Sequence, residues 1–171
     1  MTSMDDETTF QPYVADEPAP RLLRVGGVLL LVAMAAAAVL IFSTESSSGP
    51  VAAVGTVLAL LLGIAAGVLL LVCRITVTVG ATDVLVAFWP VYRKRLTVAD
   101  LVSVHDEPRL TPSMVGGGTG LRFATGNRVA LLFGAGPATE IETSTGRTYL
   151  VVVRDSAALT AAVRRLIEYP V

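Results

Sequence analysis

Two long apolar runs separated by one short polar turn constrain this chain more than any other feature. Val25 to Phe42 gives 18 consecutive apolar residues, and Val51 to Cys73 continues for 23 without a charge. At about 1.5 Å per residue the shorter run reaches roughly 27 Å as a helix, enough to cross a hydrocarbon core of about 30 Å with little to spare. Lipid offers no hydrogen bonds to the backbone, so two such runs are expected as helices, at about 22–42 and 51–73 within a segment 21–74. The polar stretch 43–50 ends in Gly49 and Pro50 and reads as a short external loop. A mean hydropathy of +0.69, with 53% hydrophobic residues, agrees that part of the chain belongs in lipid.

Orientation follows from the basic residues. Arg21 and Arg24 precede the first run, Arg74, Arg93, Lys94 and Arg95 follow the second, and the loop between carries Glu45 alone. Both termini are therefore expected on the cytoplasmic side of a cell inner membrane. A cleavable signal peptide is the competing reading of the first run, but the region before it is acidic and the run is long for that role. Residues 1–20 hold Asp5, Asp6, Glu7, Asp16 and Glu17 with no Lys or Arg, which predicts a disordered acidic tail and argues against nucleic acid. Phe10 and Tyr13 are the aromatic residues there.

Within the second run Gly55, Ala59, Gly63 and Gly67 recur every fourth residue, a spacing of small side chains that lets another helix approach closely. Two partners fit: the first run, whose Ala33 and Ala37 repeat the spacing, or a second copy of this chain in a homodimer. Intramolecular packing is the favoured expectation. Neither run holds a charge, so neither offers an ion or proton pathway. The lone Cys73, at the end of an apolar run, reads as a small hydrophobe.

From Ile75 the pattern changes to period two. Ile75–Val79, Val84–Tyr92, Arg95–Val98, Leu101–His105, Leu121–Phe123, Val129–Phe133, Ala138–Thr143 and Thr148–Val153 alternate as short strands. Arg93 and Lys94 fall at a turn in this reading, Pro108 and Pro112 punctuate a loop, and Gly134–Pro137 and Ser144–Arg147 supply further turns. Asp155 then caps a helix over about 156–168, with Leu159, Val163 and Leu166 on one face. Residues 75–171 thus predict a mainly β domain with a C-terminal helix.

That domain resembles the bacterial PH-like membrane proteins common in actinobacteria. The resemblance rests on Val77, Val79 and Asp83, on Trp89 and Pro90, on Arg95 to Asp100, on Gly116, Gly117, Gly120 and Arg122, and on Gly146, and it covers residues 75–168. It implies a PH-like barrel of about seven strands closed by one helix, on a membrane helical hairpin. A source with a GC-rich genome agrees with a basic complement in which Lys94 is the one lysine among 13.

Chemistry-bearing residues are few. The glycine stretch 116–120 lacks the Lys-Ser or Lys-Thr of a phosphate-binding loop and leads into a strand rather than a helix, so a turn is expected and not a nucleotide site. Arg122 beyond it is a candidate for an anion or partner contact, or for an ion pair with Asp100 or Asp106. His105, Asp106 and Glu107 are adjacent on extended chain and point to alternating sides, which prevents them from gripping one metal. The loop 80–83 carries no base, which disfavours inositol phosphates there. Arg74, Arg93, Lys94 and Arg95 are candidates for membrane-surface contact.

The expectation is a non-enzymatic, membrane-anchored interaction module without cofactor or metal, whose partners are membrane lipids or a protein at the inner face of the membrane. An assembly subunit acting through the glycine ridge is the alternative. A hydrolase built around His105 comes third.

Overall fold

The computed structural model describes residues 12–43 and 50–169; the acidic stretch 1–11, with Phe10, and most of the loop 43–50, with Glu45, lie outside the described residues. The chain divides into two compact units, one of residues up to Glu17 and from Ile75 onward, the other Pro18–Arg74.

The second unit is a helical pair, α1 (Arg21–Ser43) and α2 (Pro50–Val72). Both are long and apolar enough to cross a membrane, with mean hydropathies of 2.3 over Arg21–Ile41 and 2.6 over Ala53–Val72. Much of their surface is bare aliphatic side chain, including Leu22, Leu29, Val32, Leu58 and Leu62. A continuous apolar surface of that kind needs a cover other than water. The helices meet where Gly27 faces Gly67: a Cβ on Gly27 would lie 2.9 Å from the Gly67 carbonyl oxygen, and one on Gly67 would lie 2.8 Å from Leu31. Gly63 packs against Met34.

The expected glycine ridge is therefore split. Gly63 and Gly67 lie in the seam with α1, whereas Gly55 and Ala59 are exposed and Gly55 has open space before it. Each four-residue step turns about 40° beyond a full circle, so positions twelve residues apart differ by about 120° and cannot share one face. Among the sheltered positions are Leu60, Gly63, Gly67 and Leu70 on α2 and Gly27, Leu30, Met34 and Ala37 on α1. Both sets alternate steps of three and four, the seam of a helical pair. Of the two alanines expected opposite the ridge, Ala37 is half-buried and Ala33 is exposed.

The first unit contains two sheets. One has the order β1-β2-β3-β4, formed by β1 (Tyr13–Pro18), β2 (Arg74–Val79), β3 (Asp83–Trp89) and β4 (Tyr92–Thr97). Alternation buries Ile75, Val77 and Val79 from β2 and Val84, Val86 and Phe88 from β3. β1 corrects the expectation of a disordered tail over 1–20, because residues 13–18 form an edge strand. Its Asp16 carboxylate accepts a hydrogen bond from Thr76 Oγ1 at 2.9 Å, and Glu17 pairs with Arg154 at 3.2 Å. Of the acidic residues that make the segment look like a tail, Asp16 and Glu17 belong to this strand and point to opposite faces of it.

The second sheet, ordered β5-β8-β9-β7-β6, is formed by β5 (Leu101–Leu110), β6 (Gly120–Ala124), β7 (Arg128–Leu132), β8 (Gly136–Thr143) and β9 (Thr148–Val152). β9 lies between β8 and β7 and runs parallel to β7. β5 continues through Pro108 to Leu110, where a loop was expected. It is an edge strand with an irregularity between Glu107 and Leu110, the setting in which a sheet tolerates proline.

Two open sheets replace the closed barrel of about seven strands. β4 and β5 are consecutive in sequence, yet a 3-10 turn at Val98–Asp100 intervenes and each strand ends as the edge of a different sheet. Ring contacts help join the sheets: Phe88 meets Phe133 at 5.6 Å, and Tyr92 meets Phe123 edge-on at 6.2 Å. α3 (Ser156–Glu168) packs on β5 and β8 through Leu159, Val163 and Leu166, and the Asp155 carboxylate accepts the Ala158 N–H at 3.1 Å, as the sequence predicts. The buried Thr139 hydroxyl is satisfied by the Ser156 carbonyl and by Thr160, both at 3.1 Å.

Candidate functional site

Three segments far apart in sequence converge on one cleft of about 420 Å³: β4, the β6–β7 turn and the β8–β9 turn. Each turn is shaped by left-handed backbone. In the first, Gly126 and Asn127 have φ of 76° and 60°, a conformation open to glycine and tolerated by asparagine. In the second, Gly146 has φ 72° and donates to the Thr143 carbonyl at 2.8 Å. Thr143 then gathers the turn inward, its N–H and its hydroxyl both donating to the Arg147 carbonyl, at 2.9 and 2.7 Å.

These turns present Arg147 to the cleft already oriented, because its Nε donates to Asn127 Oδ1 at 3.1 Å. Lys94 enters from β4, and Thr145 and Tyr149 add hydroxyls. The one acid in the lining, Asp100, accepts the Thr97 hydroxyl at 2.6 Å. Tyr92 and the almost fully buried Tyr149 share a hydrogen bond beside the cleft. Burial pushes the Tyr92 phenol well above its usual value, the Tyr149 hydroxyl adds to the rise and Arg147 opposes it. Two cations, neutral donors and one engaged carboxylate are chemistry for holding an anionic group.

The basic run 93–95 is divided by the strand. The expected turn at Arg93 and Lys94 lies earlier, at Trp89 to Val91, and Arg93 and Lys94 are inside β4. Alternation sends Lys94 to the cleft side with Tyr92 and Leu96, and sends Arg93 and Arg95 to the opposite face. Arg95 pairs there with Asp83 at 2.9 Å. Arg74 is exposed at the start of β2. Of the four proposed membrane-contact residues only Lys94 joins the cleft.

Arg122 forms the expected ion pair with neither Asp100 nor Asp106. Asp106 instead accepts the Ser156 hydroxyl at 3.2 Å, and the Arg122 guanidinium lies directly against Gly118 with its Nε buried and without a hydrogen-bond partner. Gly116, Gly117, Gly118 and Gly120 all have φ between 78° and 98°, so the glycine stretch is a left-handed connection that other residues would strain. His105 is exposed on β5 opposite Glu140 and lines neither this cleft nor a shallower one beside Asp83 and Arg95. Among the described residues no group of His, Cys, Asp and Glu is placed to hold a metal ion.

Asn127, Arg147 and Tyr149 escape a sequence reading because no spacing links them. Their one local signal is a glycine in each turn. Comparison with protein-family models, with curated proteins and with solved structures finds no match to this chain.

Proposed function

We infer that this chain is a membrane-anchored binding module, in which α1 and α2 hold the protein in a bilayer and the β unit offers the Lys94–Arg147 cleft to an anionic group of a protein or lipid partner. The observation that carries this reading is the insertion of the helical pair between β1 and β2, which are neighbours in one sheet. A chain that crosses a bilayer twice between two paired strands keeps both strands on one side. The basic residues flanking the helices favour the cytoplasmic side of a bacterial inner membrane for that unit. A cleaved first helix fits poorly, since cleavage would remove β1 from its sheet.

The resemblance to bacterial PH-like membrane proteins enters this reading in coarse form, as a small β domain on a two-helix anchor. The cleft chemistry supports binding rather than turnover, and a hydrolase would need His105 in a cleft that it does not line. The assembly alternative loses half its ridge to the intramolecular seam, with Gly55 and Ala59 left facing outward.

The test uses the full chain in micelles, titrated with inorganic phosphate and followed by amide chemical shifts. Shifts confined to Asn127, Thr145, Arg147 and their neighbours are expected, and Lys94→Gln should weaken binding about tenfold, the effect of one charge-assisted hydrogen bond. A cleft that stays silent at millimolar phosphate overturns the ligand reading. Release of the chain from membranes by alkaline carbonate overturns the anchor.

A further inference from the structure

The β3–β4 turn carries an exposed apolar tip that the cleft does not use. Trp89 is 47% exposed and Val91 60% exposed, with the exposed Pro90 between them. Surface tryptophan is uncommon, and its amphipathic ring suits the boundary between headgroups and acyl chains.

Strand direction tells which end of the sheet this tip occupies. β2 begins at Arg74 and returns through a tight turn, closed by the Gly80 N–H donating to the Asp83 carbonyl at 2.8 Å. β3 therefore runs back alongside β2, and Trp89 ends at the same edge of the sheet as Arg74. β4 leaves antiparallel, with Phe88 opposite Tyr92. Pro18, the last residue of β1, stands at that edge too, since the chain departs there for α1 and returns from α2. Alternation puts Trp89, Arg74 and Arg93 on one face, the face opposite the buried Ile75, Val84 and Phe88.

We propose that the β3–β4 turn is a second membrane contact, with Trp89 and Val91 seated in the interface of an anionic leaflet and Arg93 beside them meeting lipid phosphates. This rests on the anchor reading above. Charge complementarity selects the occupant: the flank of the tip carries Arg74 and Arg93, and of the acids on that face Asp16 accepts a hydrogen bond from Thr76 while Asp83, at the other end of β3, is engaged by Arg95. A basic residue at an anionic bilayer surface favours the bound state about fivefold.

Trp89 is the one tryptophan of the chain, so its fluorescence reports on this turn without labelling. The full chain is reconstituted into phosphatidylcholine bilayers and into mixed phosphatidylcholine and phosphatidylglycerol bilayers, each with bromine on the acyl chains near the headgroup. Blue-shifted emission is expected, with quenching several-fold stronger in the anionic bilayer, and Arg93→Glu should abolish that preference. Equal quenching in both bilayers, or none in either, with the chain retained after alkaline extraction, overturns this inference and leaves the anchor standing. Loss of the chain on extraction overturns both.

Discussion

Tyr92 shows how one side chain couples the two sheets. Its ring meets Phe123 of the second sheet, and its hydroxyl shares a hydrogen bond with Tyr149. Burial, the Tyr149 hydroxyl and the nearby Tyr149 charge hold the phenol protonated above its ordinary value of 10.0. A native value raised in this way stabilises the fold fully below about pH 10 and is lost as pH climbs through the raised value, because the unfolded chain ionises first. Denaturant midpoints of the β unit should fall as pH rises above about 10. In Tyr92→Phe, which keeps the ring contact, that fall should be visibly smaller. At this scale the sequence was silent, since the alternation that turns Tyr92 and Lys94 to one side becomes readable only once the turn is known to lie at Trp89 to Val91.

Helices and most strands were legible as single elements. α3 follows from its N-cap and apolar spacing, and Asp155→Ala should cost about 1 kcal/mol in denaturant unfolding, with fraying seen first at the Ala158 amide. The two apolar helices follow from length and hydropathy, but their contact face does not, because a four-residue ridge drifts around the helix. Gly67→Leu forces a side chain against Leu31 and the Gly27 carbonyl and should destabilise the pair by about 1–3 kcal/mol in detergent titration. Gly55→Leu, placed in open space, should leave the pair unchanged. β1 was misread because its alternation is short and its exposed positions, Val14, Asp16 and Pro18, follow no polar pattern. Pro108 was misread because it breaks a strand only where both edges are bonded.

The arrangement of the whole was the least legible. Nothing local in Thr148–Val152 announces that β9 slots between β8 and β7, and the cleft exists only because that order brings the turns at Asn127 and Arg147 together. The pairing of β1 with β2 spans residues 19–73, a separation no periodicity can report. Deleting residues 12–18 should leave the helices intact and expose the open edge of β2. Hydrogen exchange at the Ile75 and Val77 amides, which face β1, should then accelerate while β8 and β9 stay protected, and the variant should aggregate more readily than the parent.

The insertion of the helical pair also sets an order of manufacture. β1 leaves the ribosome first and has no neighbour until α1, α2 and then β2 have been made, so in a chain threaded through a bilayer the sheet cannot close before the second helix is in place. A chain that stalled after one crossing would strand β1 and β2 on opposite sides, with the edge of β2 open to proteases. In a chain that spans a membrane, completion of the sheet would thus report correct insertion, through six residues placed ahead of the first helix.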